Sequence, residues 1–352
     1  MDSISHQNLK AVLFKSQERF AAFKNKLEEY GVDVIILDFD SSKWLNFDYS
    51  EIDILIYYPS FKYSSNHPLS LFEVHDNITF LHKNWPHVRM FPSPNIIKYY
   101  NDKYRQYLFL QTHNYPIPET IPLYTEKSLG LAEEQIGYPM VIKNRYGAGG
   151  GSVFRIFDRK ALEKYYKIST LDMFNCGFAK YLAQLISKRM FYYHLIKAKR
   201  MPYPFLSPPL LAQKYIKIDR DLKTVACCSK VVEAHWRVQA DEDMWKMNID
   251  GGGTGVWGKV DQEALDLSVR LAKDLKASWL NIDLMMSHGK FLISEFSPVW
   301  HHYAYNEKPS FEYRDDYNIE VPLEISLDLE RIIVESLIDA VNKAEDRSSS
   351  LR

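Results

Sequence analysis

The chain has 352 residues, 46% of them apolar, with 44 basic and 45 acidic side chains and a net charge of −1. That length exceeds one small core and implies two or three subdomains, and the balanced charge sets up no field that favours nucleic acid or a membrane surface. No apolar run approaches the roughly 20 residues of a membrane span and the polar N-terminus lacks a signal-peptide core, so the expectation is a cytoplasmic protein with neither nucleic-acid nor membrane partners.

Residues 7–30 carry Leu9, Val12, Leu13, Phe20, Phe23 and Leu27 at helical spacing, which predicts a helix ended by Gly31. Buried-strand patterns follow at Val32 to Leu37 and Ile52 to Tyr58, with weaker strand patterns at Ile78 to Leu81 and Val88 to Phe91. Alternating strands and helices predict an α/β unit with a mainly parallel sheet over residues 1–95. A helix is expected from Asn101 to Thr112, stopped by the turn Tyr-Pro-Ile-Pro-Glu-Thr-Ile-Pro. Residues 159–209 read as irregularly helical, rich in lysine and tyrosine, and end in a proline cluster; they are taken as an insertion or lid element. Strands are predicted at Leu211 to Lys217, Leu222 to Ser229 and Val231 to Val238, then an amphipathic helix over 261–276. A strand pair follows at Leu280 to Met286 and Phe291 to Phe296, then a final helix from Leu327 to Asn342 and a disordered tail over 346–352. Of three cysteines, Cys176, Cys227 and Cys228, none fits a metal or disulfide framework, and the adjacent pair is expected on opposite faces of a strand as small apolar groups.

The segment from Tyr138 to Phe157 carries the strongest chemical signal. An apolar run ends in Lys143, glycines follow at Gly147, Gly149, Gly150 and Gly151, then Ser152, and a second apolar run begins at Val153. Glycines let a backbone turn sharply and present N–H groups to phosphate, and a lysine beside them neutralises phosphate charge, so the segment reads as a phosphate clamp on a β-hairpin. It is not a dinucleotide fingerprint, because a strand rather than a helix follows the glycines. Further on, Asp283 and Glu295 lie on consecutive strands. If these strands pair antiparallel, both carboxylates face one side, as Mg²⁺ bound through one or two carboxylates plus phosphate oxygens requires. Taken singly, the glycine run also fits a plain hairpin turn, Lys103 a solvated helix face and Arg237 a strand edge. His235, His301 and His302 fit core or rim positions better than a catalytic role.

The order of these elements resembles the ATP-grasp superfamily, in the style of the RimK and glutathione-synthetase-like ligases, over residues 88–300. Asn101-Asp102-Lys103 resembles the family's early Asp-Lys, whose lysine reaches ATP phosphates, Tyr115 to Thr120 its proline turn, and Lys143 with its glycine loop the central lysine and lid. Gln213-Lys214-Tyr215-Ile216 resembles the adenine-reading hinge, Asp221-Leu222-Lys223 its Asp-Ile-Arg, and Asp283 and Glu295 its metal carboxylates. The resemblance implies a mixed α/β, ATP-grasp fold. An N-terminal α/β domain (1–95) is followed by a hairpin-bearing lid subdomain (96–212, with the insertion at 159–209) and a C-terminal antiparallel-sheet subdomain (213–345). It implies ATP and Mg²⁺ as cofactors, with Lys103, Lys143, the 147–152 loop, residues 213–216 and Asp221 on the nucleotide. Asp283, Glu295 and Ser297 hold metal in this reading, while Arg237, Lys223 and Asn248, beside the glycines 251–253, handle the transferred phosphoryl group. The implied activity is ligation of a small-molecule carboxylate (an amino acid, peptide or sugar acid) to an amine through an acyl phosphate. The alternatives are an ATP-grasp kinase and a catalytically weak ATP-binding protein. Two positions depart from the pattern. Ser297 replaces asparagine, which implies a weaker or water-mediated hold on a second Mg²⁺, and Lys223 replaces arginine, which keeps charge but loses the bidentate fork. Homodimers are common in such proteins.

Overall fold

The apolar run Lys10–Phe14 forms strand β1 at the centre of a parallel sheet ordered β2-β1-β3-β4, with β2 at Asp33–Leu37, β3 at Ile54–Ile56 and β4 at Arg89–Phe91. The coordinates are a computed structural model that describes residues 8–15, 19–39, 41–59, 71–147, 153–170, 177–179, 182–183, 186, 208–239, 245–247, 253–298, 309–321 and 328–349. The single helix expected over residues 7–30 is therefore a strand followed by helix α1, Phe20–Glu29. A short apolar run satisfies helical spacing and buried-strand spacing equally, and here burial on both faces of a parallel sheet decides for strand. The expected strand at Ile78 to Leu81 lies inside helix α2, Leu71–Asn84. Val74, Ile78 and Leu81 fall on one helical face, all at most 1% exposed, so the wider window carries the 3.6-residue period that the short one conceals.

Helix α3, Pro94–Ile97, and helix α4, Lys103–Thr112, lead into a second sheet. It comprises β5 (Thr120–Leu123), β6 (Met140–Lys143), β7 (Val153–Ile156) and β8 (Leu210–Lys214), antiparallel in the order β5-β8-β6-β7. Helices α5, Glu126–Gln135, and α6, Arg159–Ser169, cover one face through Leu129, Ala132 and Leu162 against Ile121, Met140, Ile142 and Ile156. Alternation then turns Val141, Lys143, Arg155 and Gln213 to the opposite, open face.

The third sheet is antiparallel: β9 (Arg220–Cys227), β10 (Lys230–Val238), β11 (Thr254–Val256), β12 (Trp279–Ser287), β13 (Lys290–Ser297), β14 (Ser310–Arg314) and β15 (Tyr317–Val321). Their order is β13-β12-β9-β10-β14-β15, with β11 beside β10. Leu222, Ala226, Leu280, Ile282 and Leu284 face the apolar side of α7, Gln262–Asp274. The opposite face divides along its length. Val225, Cys227 and Trp279 pack into the core of the first sheet, whereas Asp221, Lys223, Arg237 and Asp283, farther along the same strands, are charged. Helix α8, Leu329–Ser349, returns to the first sheet, burying Leu329, Ile333, Val334, Leu337 and Val341 there. It carries regular backbone to Ser349, beyond the residue 346 at which disorder was expected. Among the described residues no helix is long and apolar enough to cross a membrane.

Candidate functional site

The charged end of the third sheet faces the open side of the second sheet. Asp283 stands directly opposite Glu295 in the β12–β13 ladder, a register that sets their Cβ atoms roughly 5 Å apart on one face. The ladder slips by one residue immediately afterwards, because Leu284 pairs with Ile293, and Ser294 is the extra residue of a bulge. Bulges re-aim side chains, and here the Ser294 carbonyl and hydroxyl oxygens both lie 3.4 Å from Lys143 Nζ. Helix α4 is moored to the same strand, where the Phe296 amide donates to Gln106 Oε1 at 3.2 Å.

Lys103 opens α4, with Asp102 as N-cap accepting from the Arg105 amide at 3.0 Å. Asp102 is also gripped by the Arg145 fork, with Nη2 to Oδ2 at 2.8 Å. The Lys103 amide donates to the Arg145 carbonyl at 2.9 Å. These bonds aim Lys103 Nζ at the Gly147 carbonyl, to which it donates, and at Glu295 Oε1, 3.5 Å away. Gly147 has φ 129°, a backbone conformation that favours glycine. Burial pushes Lys143 down to about 8; Glu295 pulls it up, Lys103 reinforces the fall, and Asp283 opposes it. The two lysines, Gln213, Leu211 and Ile293 line a narrow cavity of 20 Å³.

On the sheet floor Arg237 makes a fork to Asp221, Nε to Oδ1 at 2.7 Å and Nη2 to Oδ2 at 2.6 Å, and reaches Asp283 Oδ2 at 3.0 Å. Lys223 Nζ lies 3.6 Å from Asp283 Oδ1. Burial works to lower Arg237, but Asp283 and Asp221 hold its pKa well above the usual arginine value. Burial likewise works to raise Asp283, and Arg237 and Lys223 overcome it, so this carboxyl stays ionised. Asp221 is pushed up by its burial despite Arg237. Two further buried residues occupy the same floor: Glu233, and His235, whose Nδ1 is 3.5 Å from Glu233 Oε1 and which burial drives down.

Of the residues singled out from sequence, Lys103, Lys143, Gly147, Gln213, Asp221, Lys223, Arg237, Asp283 and Glu295 thus converge on one cleft. Gln213 is buried and donates to Thr120 Oγ1 at 2.9 Å. Lys214 has an exposed side chain, and its amide donates to the Glu119 carbonyl. Tyr215 and Ile216 form the link between the second and third sheets, and Arg155 Nη1 donates to Tyr215 Oη at 3.2 Å. Beyond this link opens a cavity of 1040 Å³ bordered by Arg155, Tyr215, Asp219, Trp236 and Trp245. Ser297 pairs with Asn281, two pairs beyond the carboxylates. Gly149, Gly150, Gly151, Ser152, Asn248, Gly251, Gly252, His301 and His302 lie outside the described residues. Arg145, Ser294 and Glu233 escaped the reading of the sequence and carry no local signal in it, whereas Asp102 belongs to the Asp-Lys pair quoted with Lys103 and, as a cap-type residue just before a helix, carries a local signal as well.

No family model matches the chain. It is similar to β-citrylglutamate synthase B of Mus musculus, 25% identical over 213 residues that make up 59% of this chain and 46% of the relative. It is similar also to N-acetylaspartylglutamate synthase A of Homo sapiens, 26% identical over 55% of this chain and 42% of that protein. The chain therefore spans less than half the length of these relatives. Among solved structures it superposes on D-alanine–D-alanine ligase from Bacillus anthracis complexed with ATP, at TM-score 0.55, 13% identity, and coverage of 97% and 99% of the two chains. A RimK domain ATP-grasp protein from Sphaerobacter thermophilus gives TM-score 0.54 at 10% identity, covering 93% and 99%. The fold is that of the ATP-grasp proteins.

Proposed function

We propose that the chain is an ATP- and Mg²⁺-dependent ligase that activates a carboxylate as an acyl phosphate and joins it to an amine. The observation that carries this reading is the meeting of Lys103 and Lys143 with Asp283 and Glu295 across one cleft. Two amino groups on one wall suit the negative oxygens of a triphosphate, and two facing carboxylates suit a divalent cation that shares those oxygens. The donor set fits Mg²⁺, since each carboxylate is held by cationic side chains whose place a metal can take. When bound, Mg²⁺ offsets phosphate charge. Residues 1–95, 96–212 and 213–345 then serve as N-terminal domain, lid and metal-bearing subdomain.

In this mechanism Lys103 and Lys143 hold phosphate oxygens. Arg237, kept charged by Asp221 and Asp283, stabilises charge on the transferred phosphoryl group and the acyl phosphate. A substrate carboxylate oxygen attacks the γ-phosphorus and ADP leaves; the amine nitrogen then attacks the acyl carbon and phosphate leaves. Most of the rate comes from positioning and electrostatics. The curated relatives are named for β-citrylglutamate and N-acetylaspartylglutamate, so citrate, N-acetylaspartate and glutamate head the substrates to test. Incubation with ATP, Mg²⁺ and this panel, read by mass spectrometry, is expected to yield an amide, ADP and phosphate. A phosphorylated acceptor with no amide establishes a kinase instead, and ATP binding without turnover on a wider panel leaves a binding protein.

A further inference from the structure

The β9–β10 hairpin turns through Cys228 and Ser229, with φ 50° and 64°. This left-handed pair is the two-residue turn that Asn and Gly usually fill, so no backbone requirement places a cysteine there. The expectation that both cysteines pack as apolar groups holds for Cys227, which is buried, and fails for Cys228, which is exposed at the turn. Cys227 lies in the core that includes Trp279 and Ile333 and Leu337 of α8. The two sulfurs are 3.6 Å apart. The groups that face Cys228 are Lys230 on β10 and Ser336 and Asp339 on α8. A hydrogen bond from the Cys227 thiol draws Cys228 down to about 6, assisted by Ser336 and Lys230 and opposed by desolvation and Asp339, while Cys227 is driven well up. An exposed thiolate in contact with a buried neutral thiol is the arrangement of an attacking and a resolving cysteine.

We propose that Cys227 and Cys228 form an oxidation site, in which a peroxide oxidises Cys228 and Cys227 closes a reversible disulfide with it. The Cys228 sulfur attacks one peroxide oxygen, the O–O bond breaks, and the departing hydroxide takes a proton to leave as water. The Cys227 sulfur then loses its proton and attacks the Cys228 sulfur, the S–O bond breaks, and a second water leaves. The thiol pair loses two electrons, and the peroxide gains them. Adjacent Cα atoms are only about 3.8 Å apart, short of the usual disulfide span, so the bond is strained and reduced more readily than a structural disulfide. This site is remote in chemistry from the nucleotide cleft and does not depend on the ligase reading.

The test begins with the unaltered full-length protein, alkylated with iodoacetamide across pH 5–9 and mapped by peptide mass spectrometry. Cys228 is expected to react roughly two- to threefold faster at pH 7 than a free thiol that titrates near the ordinary value of about 8.5, since its thiolate fraction is larger by about thirtyfold and its lower intrinsic nucleophilicity offsets about tenfold of that gain. A labelling midpoint near the ordinary thiol value of about 8.5 overturns the assignment. Hydrogen peroxide is then expected to give an internal Cys227–Cys228 disulfide that dithiothreitol removes. Cys227→Ser is expected to stop at a dimedone-trappable sulfenic acid on Cys228, and Cys228→Ser to lose the fast oxidation. An unoxidised pair in the unaltered protein, or fast oxidation that survives Cys228→Ser, refutes the proposal.

Discussion

Lys103 Nζ lies 3.5 Å from Glu295 Oε1, joining the first turn of α4 to β13 across the cleft. The Glu295 side chain is 29% exposed, so the pair contributes little to stability and its value lies in position. Glu295→Gln is expected to shift the melting temperature by less than about 2 °C. It is expected to lower kcat/KM for substrate-dependent ADP release by roughly a thousandfold, about 4 kcal/mol of transition-state stabilisation, and to weaken apparent Mg²⁺ affinity. Near-normal turnover in this variant removes Glu295 from the metal role.

Lys143 makes ATP binding depend on pH. Its pKa in the free protein is about 8 because of burial, and phosphate oxygens nearby raise it when ATP binds. The complex therefore carries more protons than the free protein above pH 8. ATP affinity is expected to be flat below pH 7 and to fall as pH rises through 8, with proton uptake visible by titration calorimetry in buffers of different ionisation enthalpy. The same shift acts on folding. An unfolded lysine titrates near 10.4, so between pH 8 and 10 the unfolded chain holds more protons and stability rises with pH. Lys143→Met is expected to abolish turnover and yet to unfold at higher temperature than the unaltered protein at pH 7, an advantage that shrinks toward pH 10. A pH-independent difference contradicts a charged, buried Lys143.

Much of the C-terminal half was legible because its strands alternate. Leu222, Thr224 and Ala226 against Asp221, Lys223 and Val225 is a two-faced pattern that names a strand and its polar side. Strand partners were less accessible. Asp221 and Arg237 meet because β9 and β10 pair in one register, and Asp283 joins them only because β12 adds on the other side of β9; local propensity specifies neither. The bulge at Ser294 is a one-residue slip that periodicity blurs. At the N-terminus the five residues of β1 were too few to show a period, so a neighbouring helical spacing overrode them.

Asp102 and Arg145 set the aim of Lys103, and lysine cannot reproduce the fork that Arg145 makes. Arg145→Lys is expected to raise KM for ATP about tenfold with a smaller change in kcat, the signature of lost ground-state and transition-state binding together. An unchanged KM for ATP means that Lys103 is positioned without Arg145. The side-chain carboxamide of Asp102→Asn still caps α4, so that variant is expected to retain helix stability while it shares the KM defect.

Asp221 and Arg237 are buried and Asp283 is half-buried beside them, so the first two are costly to remove singly. Asp221→Asn leaves the Arg237 guanidinium with Asp283 alone and is expected to destabilise the fold by about 3 kcal/mol in urea denaturation, because breaking a buried two-pronged ion pair leaves the guanidinium only partly compensated. Arg237→Met strands Asp221 and Asp283 beside each other and is expected to cost a similar amount. The double variant removes both the charge and its partner. Its destabilisation is expected to fall short of the sum of the single values by at least about 1.5 kcal/mol, the coupling that contacting residues show in such cycles. Additive losses mean that the two residues do not interact in solution, and Arg237 then loses the carboxylate that fixes it at the phosphoryl position.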